Sequence, residues 1–128
     1  MQGIHIQDLK VLVQERLDDA KALLDAGRYS GAIYICGYVV ELGLKKKICE
    51  TLNWDEYPTD SQYKTLKTHE LEVLLHFSGV KKFVIENLTA EWSVVSKWDP
   101  EKRYATRQVI KADAESMIKS AEMLLKVL

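Results

Sequence analysis

Apolar side chains along this chain return at helical spacing almost throughout. Leu9, Leu12, Val13, Leu17, Ala20, Leu23 and Leu24 recur every three or four residues, and Gly27 follows as a C-terminal stop, which predicts a helix over roughly 7–26. From about 29 to 52 the chain is apolar nearly all round, through Ala32, Ile33, Ile35, Cys36, Val39, Val40, Leu42, Leu44, Ile48 and Leu52. A helix without a clear polar face belongs at the centre of a fold. Its β-branched residues and glycines give it poor intrinsic propensity, so packing must hold it. Asn53–Thr68 has no periodicity and carries Pro58, Thr59, Asp60 and Ser61, and it reads as a connecting loop. Thr68 is then placed to cap a short helix with Glu70 and Glu72 in its first turn, Leu71, Leu74, Leu75 and Ser78 inside, and Gly79 at its end. Phe83, Val84, Leu88, Trp92 and Val95 predict a fourth helix over roughly 81–96, which Trp98-Asp99-Pro100 breaks. The last run places Val109, Ala112, Ser116, Met117, Ser120, Ala121, Leu124 and Leu128 at helical spacing, with small residues that permit close helix packing. No strand-like alternation or internal repeat is visible. The expectation is all-α: one antiparallel up-down bundle of about five helices, forming a single domain over residues 1–128.

Composition narrows the function more than it defines it. At 128 residues and 47% hydrophobic, the chain is long enough to bury a core without metals or disulfides. Its two cysteines, Cys36 and Cys49, lie within an apolar helical pattern and suit neither a disulfide framework nor a four-ligand zinc site. A net charge of −1 argues against holding nucleic acid by charge alone. Acidic side chains outnumber basic ones in residues 1–60 and the reverse holds in 61–128, a weak asymmetry with no basic patch. The N-terminus lacks a basic leader, and no run of about 18 apolar residues occurs, so a soluble cytoplasmic protein without cofactor is expected.

Few residues could carry chemistry. Tyr34, Tyr38, Glu41 and Lys45 fall within roughly 60° of one another on the second helix, its single polar stripe. Glu41 and Lys45, four residues apart, are a natural ion pair. The stripe is either a satisfied internal pair beneath two tyrosines or the wall of a cleft or subunit interface. His69 and His76, seven apart, fall on nearly the same face of the third helix, but no further ligand at suitable spacing makes them a metal site. His69 is a hydrogen-bonding residue near a helix start or a general base. The segment from Trp98 to Arg107, with Arg103 and Tyr104, suits a nucleotide or a single-stranded RNA end, where arginine grips phosphate and an aromatic ring stacks on a base. It equally suits a protein interface or a purely structural loop.

Three stretches carry a family resemblance: Arg16 to Tyr29, Ala32 to Lys45 with Gly37 and Glu41, and Lys67-Thr68-His69-Glu70-Leu71, to which Trp98–Tyr104 can be added. In this order and spacing the chain resembles the HEPN domain, a small helical module. The resemblance implies a homodimer, often encoded beside a minimal nucleotidyltransferase in two-component, toxin–antitoxin-like modules. Catalytic members cut RNA without metal through an Arg-x4-6-His element. None of the four arginines here starts one. Gln108, Val109 and Ile110 follow Arg103 at the required spacings, and Ala112, Asp113 and Ala114 follow Arg107. Arg16 and Arg28 fail in the same way.

The expectation is therefore a non-catalytic HEPN-type module that binds a nucleotide, an RNA end or a nucleotidyltransferase partner across a dimer cleft. Tyr38, Glu41, Lys45, His69, Arg103 and Tyr104 would line that cleft. Glu41 would orient Lys45 or Arg103, both cations would contact phosphate, and Tyr38 or Tyr104 would stack on a base. The alternatives are a metal-independent ribonuclease in which His69 meets Arg103, and a structural dimer held by a small-residue face at Ser116 or Ser120.

Overall fold

The structure is a computed structural model that describes residues 3–100 and 108–128. Two long helices begin it. Helix α1 (Ile6–Asp25) starts where the His5 ring accepts a hydrogen bond from the Gln7 amide at 3.1 Å. It ends at Gly27, whose φ of 75° lets the Arg28 amide reach the Leu23 carbonyl at 2.8 Å and the Gly27 amide reach Leu24 at 3.0 Å. That paired closure is the glycine stop anticipated from the sequence.

Helix α2 (Tyr29–Leu52) is the central element, packed against α1, α3 (Leu71–Phe77), α6 (Lys111–Leu125) and β2 (Glu56–Pro58). Ala32, Cys36, Val39, Val40, Leu44, Ile48 and Cys49 along it are fully buried. It stops at Asn53, in the left-handed conformation with φ 57°. Asparagine tolerates that region better than a branched residue. Helix α6 (Lys111–Leu125) buries Ala114, Met117, Ile118, Ser120, Ala121 and Leu124. It packs closely on α2 at Gly43, where a Cβ would lie 2.9 Å from Leu125. The architecture is an all-α bundle, as the periodicity predicts.

The stretch expected to be a plain loop holds more order than its composition suggests. Strand β1 (Gly3–His5) pairs antiparallel with β2 (Glu56–Pro58), in the register Gly3–Pro58, Ile4–Tyr57 and His5–Glu56. Three-residue strands are too short to show an alternating pattern. A 3-10 turn at Ser61–Tyr63 follows, with the Asp60 carboxylate accepting from the Gln62 amide. Tyr57 enters the core, 1% exposed, and its hydroxyl donates to the Leu66 carbonyl.

Two predicted helices need correction. The third begins at Leu71 rather than beside Thr68: α3 spans Leu71–Phe77, and the Thr68 hydroxyl accepts from the Glu70 amide in the turn before it. The fourth is two helices, α4 (Lys81–Asn87) and α5 (Thr89–Val95), separated at Leu88, where φ −127° and ψ 35° leave helical geometry. Side chains take over carbonyls at this break. Asn87 donates to Phe83 and Thr89 to Ile85. The apolar rhythm continues across the break, which is why periodicity alone joined the two pieces.

Candidate functional site

Glu41 is the anchor of the site. Its side chain is 4% exposed, and a charge so buried is costly unless both oxygens have partners. Lys45, one turn further along α2, donates to Oε2 at 3.0 Å, and the His69 ring nitrogen Nδ1 lies 2.8 Å from Oε1. The Lys45 ammonium also sits 5.2 Å from the centre of the Tyr57 ring. The chain leading to His69 is thus tied to Tyr57 at Leu66 and to α2 at Glu41. Burial, with smaller contributions from Cys49 and Glu41, pushes the Tyr57 hydroxyl well above the usual phenol range, so it remains a donor.

One and two turns before Glu41, the Tyr38 and Tyr34 hydroxyls are 3.3 Å apart. The Tyr38 ring meets His69 edge to face at 6.0 Å between centroids and Trp98 at 5.0 Å. Trp98 is held by its indole N–H, which donates to the Tyr34 carbonyl at 3.1 Å, and by Gly37 beneath it. A Cβ on Gly37 would come within 2.1 Å of the indole. Only glycine permits the tryptophan to lie this close to the helix backbone.

Between residues 67–72 and 96–100 an open cleft of about 670 Å³ is lined by His69 and Trp98. That volume is within the range of small-molecule sites. Lys67 and Lys97 face it together with Glu70, Glu72 and Asp99, so its described walls carry both signs. Glu72 also accepts from the Trp92 indole at 2.9 Å, tying α3 to α5.

The candidate residues therefore divide. Tyr38, Glu41, Lys45 and His69 come together with Trp98, but among them only His69 is a wall of the cleft. Lys45 is 13% exposed and already paired. Arg103, Tyr104 and Arg107 lie outside the described residues. His76 does not share a helical face with His69, which precedes α3; its ring packs against Phe77 at 5.2 Å. Among the described residues no group of three or more His, Cys, Asp or Glu side chains is placed to hold a metal. Cys36 and Cys49 are free and buried, and burial pushes their thiols up to about 12 and about 11. Sequence reasoning missed Tyr57 and the seating of Trp98 on Gly37. A glycine within an otherwise apolar helix was the available signal for the second.

A family model for the HEPN domain matches residues 13–128, nearly the whole chain, and covers α2, the segment before α3, and Trp98. The chain belongs to the HEPN domain family. Comparison with curated proteins and with solved structures gives no match. Within this HEPN domain, Glu41, Lys45 and His69 form a hydrogen-bonded unit, and no Arg-x4-6-His element is present in the sequence. No described helix is long and apolar enough to cross a membrane.

Proposed function

We propose that this HEPN domain is a non-catalytic module that binds a nucleotide, free or at an RNA end, as a homodimer in a toxin–antitoxin-like or accessory role. The observation that supports the reading best is the imidazole of His69, fixed by Glu41 at a cleft that Trp98 also lines. Aromatic surface serves base stacking, and a positioned ring nitrogen serves hydrogen bonding. Glu41 and Lys45 act from behind as supports. Arg103 is the phosphate contact in this reading and Tyr104 the stacking partner, with Tyr38 behind the cleft against His69 and Trp98. The mixed charge of the described walls favours a ligand with few phosphates. Titration calorimetry with adenosine 5′-monophosphate and a short 5′-phosphorylated RNA tests it. Arg103→Ala should weaken binding about tenfold or more while the melting temperature holds. An unchanged affinity removes the arginine from the site, and capture of a nucleotidyltransferase with no nucleotide affinity replaces the ligand by a protein partner.

A second reading has its own support in the Glu41–His69 hydrogen bond, because a carboxylate that orients an imidazole is a common arrangement for a general base. It makes the protein a metal-independent ribonuclease. RNA cleavage that survives chelation and disappears in His69→Ala would establish it.

A further inference from the structure

The hydrogen-bond order around Glu41 fixes which face of His69 is available to a ligand. Lys45 donates to Oε2 at 3.0 Å, and its ammonium charge balances an ionised carboxylate in a pocket where Glu41 is 4% exposed. An ionised carboxylate only accepts. The hydrogen in the 2.8 Å contact between Oε1 and His69 therefore belongs to Nδ1. In the neutral ring that leaves Nε2 with a lone pair. The His69 side chain is 60% exposed, and His69 is one of the residues that line the cleft.

Lys45 has little freedom to do anything else. It is 13% exposed, bonded to Glu41, and placed 5.2 Å over the Tyr57 ring. Among the described residues, the charged groups that share the cleft with His69 are Lys67, Lys97, Glu70, Glu72 and Asp99.

We infer that His69 is the hydrogen-bond acceptor of the cleft, selecting ligands through an N–H or O–H donor, and that Glu41 and Lys45 are positioning residues that hold its Nδ1–H tautomer. This rests on the nucleotide reading and deepens it. A nucleotide offers such a donor from a sugar hydroxyl or from the exocyclic amine of a base, and the acceptor chemistry is common to both. The competing explanation is a tether: the Glu41–His69 bond fastens residues 67–70 to α2, and Nε2 has no task.

Two measurements on the full chain separate these. Long-range ¹⁵N–¹H correlation at pH 8, with the three histidines assigned by substitution, reads the tautomer of the free protein. A protonated Nδ1 and a bare Nε2 on His69 are expected. Hydrogen on Nε2, or on both nitrogens, overturns the acceptor assignment. The second measurement titrates adenosine 5′-monophosphate, its 2′-deoxy and 3′-deoxy analogues and inosine 5′-monophosphate against the wild type, His69→Asn and His69→Gln. Asparagine retains a donor near the Nδ1 position, and glutamine places an acceptor near Nε2. One analogue should bind the wild type about tenfold more weakly than adenosine 5′-monophosphate, as expected for one lost hydrogen bond. That difference should vanish in His69→Asn and persist in His69→Gln, and the analogue that shows it identifies the sugar or the base as donor. Equal affinities for all four ligands overturn the selective role and leave nucleotide binding intact. If none of the four binds, the nucleotide reading and the selective role both fall, and the tautomer spectrum still decides the acceptor assignment.

Discussion

At the scale of single residues, the candidate site is built on a carboxylate with almost no access to water. Glu41 is 4% exposed and bonded to Lys45 and His69. Removing one member of a buried pair leaves the other charge without compensation, which is more damaging than losing the attraction. Glu41→Ala should lower stability by about 3 kcal/mol. Urea unfolding followed by circular dichroism measures that, and Glu41→Gln combined with Lys45→Met should recover part of the loss. The pair itself was legible from its four-residue spacing on α2. Its third partner was not, since His69 is twenty-eight positions away and reaches Glu41 only after the chain has passed through β2 and the 3-10 turn. Gly37 shows the same limit. Its place in the helix could be read, but the tryptophan that lies on it comes from much later in the chain.

At the scale of elements, periodicity identified the long helices because each exceeds several turns and buries a continuous stripe. It failed for α4 and α5 because the apolar spacing runs through Leu88 while the backbone does not. What holds α5 in place is partly lateral: the Trp92 indole donates to Glu72 on α3 at 2.9 Å. Trp92→Phe keeps the ring's burial and removes the donor. Because Glu72 is exposed, the loss should be about 1 kcal/mol. Hydrogen exchange should show faster opening of α5 than of α1 or α2. Equal protection in the variant and the wild type would mean that packing alone fixes this helix.

At the scale of the whole molecule, α2 is the hub for α1, α3, α6 and β2, while α5 packs on α6 and α4. The small residues of α6 illustrate what this decides. Ser116 and Ser120 share an expected self-association face, yet Ser120 is buried within the protomer and Ser116 is exposed. Ser120→Leu should cost about 1–3 kcal/mol by overpacking, detected as a lower melting temperature. Ser116→Leu should leave the melting temperature unchanged, so light scattering on that variant isolates any effect on self-association.

The sequence by itself determined the all-α bundle, the central position of α2, the glycine stop of α1 and the membership of Glu41 and Lys45 in one stripe. These follow from local geometry, where spacing along a helix is also spacing in space. Only the tertiary structure decided that His69 completes the Glu41 unit, that Trp98 lies on Gly37, that Tyr57 closes the core beside Lys45, and that a cleft opens between residues 67–72 and 96–100. Each of these joins segments distant along the chain, and such contacts form through mutual packing that no local pattern encodes.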